Sequence, residues 1–229
     1  MSEANQAAVQ ALLARVDALE RRLQRAEDVQ AIERLTRAYG YYLDKALWDE
    51  MLDLFTDDCS VEISALGVYL GKKQAAVLFK ELLGKGPAKS DENGLLWGQL
   101  YNHLIVQGIV HVDEGGTTAS GRWRCFMQIA EFGKSAVWGE GPYELRYAKG
   151  EDGLWRIRKL HFYRTYHTPF DEGWAKAKSP VGGVRPHLPP DLPPSVQYEP
   201  WPAVFIPPFH YANPVSGSRR HTRSDPEQV

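Results

Sequence analysis

Four of the seven histidines, His103, His111, His161 and His167, fall in the middle of the chain, and there the residue types first suggest chemistry. An imidazole takes or gives a proton near neutral pH, because its unperturbed pKa is about 6.5. The spacing of the four fits no compact ligand motif such as His-Glu-x-x-His, so no metal site is expected. From about 154 to 166 strict alternation places Trp155, Ile157, Lys159, His161, Tyr163 and Thr165 on one face. If Trp155 and Ile157 face a core, Lys159, His161 and Tyr163 form a polar cluster suited to an acid or an oxyanion partner. A register break would turn the three to solvent instead. Asp44, ending a helical pattern, and His103, opening a strand-like one, read singly as a polar helix end and as a core histidine bonded to a backbone carbonyl. Arg122 and Arg124 share a strand face that suits a subunit interface or solvent. Glycine-rich nucleotide or phosphate loops are absent, and no cofactor is expected.

The composition bounds the partners. A chain of 229 residues with 43% apolar content can bury one sizeable core. A formal charge of -2 and a pI near 6.4 leave no basic footprint for nucleic acid. No apolar run approaches the roughly 18 residues of a membrane span. Small-molecule partners are favoured. The polar start, MSEANQ, lacks the apolar core of a secretory signal, which points to the cytoplasm. Cys59 and Cys125, the two cysteines, suit reduced core positions.

The elements that would position these groups follow from periodicity. Between about 5 and 27, Val9, Leu12, Val16, Leu19 and Leu23 recur with heptad spacing. This helix, residues 1 to 27, is an oligomer handle for a dimer or trimer, or else lies on its own domain. A second helix is expected from 28 to 46, a short one near 48 to 55, a strand from 59 to 63, and a third core helix from 72 to 83. Four strand-like runs follow, at about 100 to 112, 118 to 131, 135 to 149 and 154 to 166. Glycine-rich turns separate them, so an antiparallel meander is expected. Beyond 168, 13 of the 15 prolines make an extended tail over 169 to 229. Its aromatic middle, Tyr198 to Tyr211, should wrap its own domain or a neighbouring subunit, and 216 to 229 should be disordered.

Three strings carry a resemblance: the run from Arg37 to Asp44 with Trp48 after it, Asn102-His103-Leu104-Ile105-Val106, and Gly153-Leu154-Trp155-Arg156-Ile157. Over about 28 to 166 the chain resembles the SnoaL-like family of the nuclear transport factor two-like superfamily. The resemblance implies an α+β cone: a curved antiparallel sheet packed on three helices, here with an extra N-terminal helix and a proline-rich C-terminal tail. It also implies that Asp44 and His103 form a hydrogen-bonded dyad and that Tyr39 faces the same cavity. Tyr42, Tyr101 and Trp123 are expected to bind substrate there, and Tyr41, Trp97, Trp138, Tyr143 and Phe162 to lie around it. The activity implied is that of a cofactor-independent lyase acting on a bulky hydroxylated aromatic compound. Water or formaldehyde would leave, as in lyases of lignin-derived diarylpropane and phenylcoumaran units. A steroid- or polyketide-type dehydratase, isomerase or cyclase, and a non-catalytic assembly subunit like the β subunit of ring-hydroxylating dioxygenases, are the alternatives.

Overall fold

The computed structural model describes residues 3–91 and 94–219. Its first element, α1 (Glu3–Asp44), is one unbroken helix of 42 residues. The expected break near residue 27 is absent, because no glycine or proline interrupts the run before Gly40 and its Ala, Leu, Arg and Glu content favours helix throughout. The helix stops in a Schellman pattern: Leu47 N–H donates to Tyr42 O at 3.0 Å and Ala46 N–H to Leu43 O at 3.1 Å. Ala46 takes the left-handed position, at φ 54°, and its methyl is fully buried. This stop leaves Asp44 as the last helical residue.

After α2 (Trp48–Leu52) come β1 (Phe55–Ile63), a 3-10 turn (Ser64–Leu66), β2 (Val68–Leu70), and α3 (Gly71–Ala76), which runs on as a π-helical segment, Val77–Gly84. Strand β1 starts four residues before the expected 59. A two-stranded ribbon, β3 (Ser90–Asp91) and β4 (Gly94–Leu95), precedes the long strands β5 (Gln99–Val112), β6 (Thr118–Glu131) and β7 (Ser135–Lys149). The run expected at 154 to 166 is split into β8 (Trp155–Phe162) and β9 (Tyr166–Pro169). The sheet order is β2-β1-β8-β7-β6-β5, with β9 on β7. All pairings are antiparallel except β1 with β8, which is parallel. The concave face closes on α1, α2 and α3 around a core that includes Ile32, Tyr39, Trp48, Phe55, Phe79, Tyr147 and Ile157. Cys59 and Cys125 are both free and buried in it. Among the described residues no helix is long and apolar enough to cross a membrane.

Two irregularities decide which side chains reach the interior. The β7–β8 register shifts between Arg146 and Tyr147: Arg146 faces Lys159, whereas Tyr147 faces Ile157. The extra residue reverses the pleat, so Leu160 and Phe162 join Trp155 and Ile157 in the core. The second break is at Gly141-Pro142, where β7 exchanges β8 for β9. A Cβ on Gly141 would stand 2.0 Å from the carbonyl oxygen of Tyr163, so only glycine lets the linking residues 163 to 165 cross there.

The tail lies along the opposite, convex face of its own domain. Val68 donates to Leu192 O at 2.9 Å, Trp201 N–H to Thr165 O at 2.8 Å, and Ser179 N–H to Trp201 O at 2.8 Å. Tyr198 and Phe205 stack at 4.3 Å. Arg122 pairs with Glu144, donates to the Pro208 carbonyl at 3.2 Å, and has its guanidinium 3.9 Å over the Phe209 ring. The tail of its own chain thus covers this arginine. Arg124 pairs with Glu140 and Gln107. Asn213 to Ser218 close a turn, and the rest of the expected disordered end, 220 to 229, lies outside the described residues.

Candidate active site

A cavity of about 110 Å³ opens at the wide end of the cone, lined by Tyr39, Leu43, Phe79, Tyr101, His103, Met127, Tyr143, Phe162, Arg164 and His167 among others. Each polar member is placed by a different element. Tyr39 lies on the inward stripe of α1, five residues before the helix stops. Tyr101 and His103 sit on the inward pleat of β5, opposite Ile129 and Met127. Tyr143 comes from β7, while Arg164 and His167 come from the crossing link and from β9.

His103 is 5% exposed, and its Nδ1 is buried without a hydrogen-bond partner. That nitrogen lies 3.6 Å from Asp44 Oδ1, an ion-pair distance but too long for a hydrogen bond. The same oxygen accepts the backbone N–H of His103 at 2.5 Å. Strand β5 is an edge of the sheet, so this N–H has no strand to pair with, and Asp44 satisfies it. The hydrogen bond expected between the two side chains therefore runs through the backbone: the pair is assembled, with the ring bond unmade. Tyr101 meets the His103 ring edge-on at 4.4 Å.

The Tyr39 hydroxyl is likewise buried without a hydrogen-bond partner. Burial pushes its pKa far above the ordinary range of a phenol, against a weaker opposing pull from the neighbouring Tyr143. Burial also raises Tyr143 and Tyr101. All three therefore stay protonated and can donate. At the mouth, burial lowers His167 to about 4, with the Arg164 charge acting in the same direction, so its ring is neutral at pH 7. Burial also works against the charge of Arg164, whose guanidinium donates to Pro180 O at 3.0 Å. Among the described residues no carboxylate forms an ion pair with it.

The remaining expected site residues lie elsewhere. Tyr42 is half-buried at the end of α1, where its carbonyl caps the helix. Trp123 is core, donating to the Tyr147 hydroxyl at 3.0 Å. Lys159, His161 and Tyr163 do not face the cavity, because the β8 register shift carries them to the convex face. Lys159 is exposed there, while His161 and Tyr163 stack at 3.7 Å beneath the tail. Tyr41 and Trp97 are exposed, and Trp138 packs against Phe126, Phe170 and Trp174 outside the cavity. Arg164 and His167 line the cavity in their place. Sequence reading gave Arg164 no role and weighed His167 only as a metal ligand. The signal was the Gly139-Glu140-Gly141-Pro142 string, since glycine and proline inside a strand mark a bulge. Of the four central histidines, only His103 and His167 share the cavity; His111 instead contacts His210 at 3.0 Å. Among the described residues no three His, Cys, Asp or Glu side chains gather as a metal-ligand set.

Several solved structures are similar to this one. Hexachlorocyclohexane dehydrochlorinase LinA-type3 from Novosphingobium barchaimii LL02 matches with a TM-score of 0.54 and 18% identity, over 65% of this chain and 93% of that one. A protein of Novosphingobium aromaticivorans DSM 12444, provisionally named a scytalone dehydratase, matches at 0.53 and 18%, over 71% and 96%. One from Novosphingobium aromaticivorans DSM, provisionally named an aromatic ring hydroxylase, matches at 0.51 and 22%, over 63% and 94%. At these identities the likeness is one of fold. Residues 24–161, more than half of the chain, match the SnoaL-like domain, and the chain belongs to that family.

Proposed function

We propose that this chain is a cofactor-free lyase that forms a conjugated double bond in a hydroxylated aromatic substrate by expelling an oxygen leaving group. One observation carries the reading: His103 Nδ1 and the Tyr39 hydroxyl are both buried, both without hydrogen-bond partners, and both in one largely apolar cavity beside the Asp44 carboxylate. Buried polar atoms are rarely left unpaired, and two in one cavity suit a substrate that completes them. The names of two similar structures, a dehydrochlorinase and a provisional dehydratase, accord with elimination chemistry.

In this reading His103 takes a proton from carbon. The C–H electron pair becomes the new double bond, and the adjacent C–O bond breaks. The imidazolium that forms lies 3.6 Å from Asp44, whose charge opposes its own. The departing hydroxyl takes a proton from a neutral phenol, Tyr39, and leaves as water. Arg164, with no carboxylate paired to it among the described residues, faces negative charge that develops on oxygen at the mouth.

The specific form of the proposal is deformylation of a lignin-type diarylpropane or phenylcoumaran. In a diarylpropane diol His103 would take the proton of the terminal hydroxymethyl group. The C–C bond breaks to give formaldehyde, and its electrons form the double bond as the benzylic hydroxyl leaves as water. At about 110 Å³ the cavity is somewhat smaller than an engineered void of about 150 Å³ that holds benzene, so it takes at most one aromatic ring. A second ring would need the groove of about 220 Å³ that Arg164 also lines, together with Thr165, Trp201, Val204 and Phe205.

The test is an ultraviolet and formaldehyde assay of chelator-treated protein on a panel of hydroxylated aryl compounds, single-ring alcohols and diaryl diols included. New conjugated absorbance is expected. Formaldehyde released with it marks deformylation, and its absence marks dehydration. Silence across the panel sinks the lyase reading.

A further inference from the structure

The first part of α1 projects from the domain with an apolar stripe that nothing among the described residues covers. Val9, Leu12, Val16, Leu19 and Leu23 are between 45% and 60% exposed. The alternative of a helix lying on its own domain is therefore not what the fold does. At 3.6 residues per turn this stripe points about half a turn away from Asp28, Ile32, Thr36 and Tyr39, the face that α1 buries in its own domain. The domain leaves the stripe open to a partner along its length.

The pattern says what covers it. With Val9 at heptad position a, Val16 and Leu23 are also a, and Leu12 and Leu19 are d. β-Branched residues at a with leucine at d favour two parallel strands. The charges that flank the stripe specify the same arrangement. Arg15 and Arg22 occupy g; Glu20 and Glu27 occupy e. In a parallel pair in register, g of one helix meets the following e of the other, so Arg15 meets Glu20 and Arg22 meets Glu27 on both sides. The preceding pair, Ala8 with Leu13, is apolar, and Leu13 is itself 51% exposed. In an antiparallel pair g meets g and e meets e, which sets Arg against Arg and Glu against Glu. Within the chain none of these four charges is engaged in an ion pair among the described residues.

We infer that the protein is a homodimer held by a parallel, in-register, two-stranded coiled coil of residues 5 to 29, with one catalytic domain on either side. The coil contributes nothing to the cavity, so each domain is complete without its partner. This inference stands independently of the proposed activity.

Sedimentation of the full chain at micromolar concentration should give twice the 25.9 kDa of one copy. Separate Leu12→Cys and Leu19→Cys variants should each cross-link to their own kind under mild oxidation, since the two native cysteines are buried. Leu12→Glu with Leu19→Glu should weaken self-association at least about a hundredfold while leaving the near-ultraviolet circular dichroism of the domain unchanged. Arg15→Glu with Arg22→Glu, and separately Glu20→Arg with Glu27→Arg, should each associate poorly alone and pair when mixed. A monomer or a trimer overturns the inference. So does a dimer that survives the Leu→Glu pair, which would use another surface, and so does a dimer in which neither cysteine cross-links, which would be antiparallel or out of register.

Discussion

Two of the molecule's histidine–carboxylate pairs place their imidazoles on opposite faces of the same sheet, and the two are unlike in what they leave unpaired. Inside the cone, His103 Nδ1 stands 3.6 Å from Asp44 and lacks a hydrogen bond. Outside, His161 Nδ1 stands 3.4 Å from Glu62. The Glu62 oxygens there are taken by Ser195, one by its N–H at 2.8 Å and the other by its hydroxyl at 2.6 Å. Tyr163 stacks on His161 at 3.7 Å, and the tail covers both. Proximity and residue type are nearly equal; satisfaction and access differ. A pair whose carboxylate is already taken up by Ser195 fastens the tail, whereas a pair whose imidazole is left unpaired in a cavity has capacity left for a substrate.

The comparison breaks most sharply under substitution of its carboxylates and histidines. Asp44→Asn and His103→Ala should each lower turnover by about 10²–10⁴-fold, the range of a lost general base, while the domain stays folded. Glu62→Gln should do the reverse. It should leave turnover within about twofold and cost about 1–3 kcal/mol of stability, because the Ser195 donors lose a charged acceptor. Arg164→Met should slow turnover by about a hundredfold if it meets developing charge on oxygen, with little change in melting temperature. Tyr39→Phe removes only the hydroxyl that the fold leaves unpaired. Turnover should fall by about tenfold, and stability should hold or rise by about 1 kcal/mol, since a buried orphan is lost.

Acid should bring a separate effect, on stability. Burial lowers His161 to about 3, with Lys159 adding to it, and lowers His167 to about 4, so both are neutral when folded. The unfolded chain protonates them near the ordinary 6.5 and then binds more protons than the native state. Stability should therefore be full above about pH 6.5 and fall as the pH drops from there towards 4. Thermal melts across that window should record the loss, and His161→Gln should lessen it, leaving the share that His167 contributes.

The sequence made the cone legible because its long strands are bounded by turn residues and its helices by period and breakers. Strands β6 and β7 run where alternation placed them. Asp44, His103 and Tyr39 were identifiable only through a family resemblance, since a helix-end aspartate and a strand-opening histidine have bland roles as well. The hidden part was the β8 bulge. Alternation counts in steps of two, and a single inserted residue sent Lys159, His161 and Tyr163 to the wrong face and left Arg164 unnoticed. The break that brings Arg164 inward depends on Gly141, where a Cβ would stand 2.0 Å from the carbonyl oxygen of Tyr163 in the link after β8, a packing contact that no local period encodes. The unbroken α1 was hidden for a different reason. A change in which face is buried, from the heptad stripe to the stripe through Ile32 and Tyr39, looks in sequence like the end of one helix and the start of another.

The most direct test of the contrast between the two pairs is a side-by-side measurement of turnover for Asp44→Asn and Glu62→Gln on the panel compound that the native protein converts fastest, with melting temperatures recorded in parallel. The account predicts that turnover collapses in the first variant, which still melts near the native temperature, and that the second melts earlier with its turnover retained. Equal turnover in the two would contradict it.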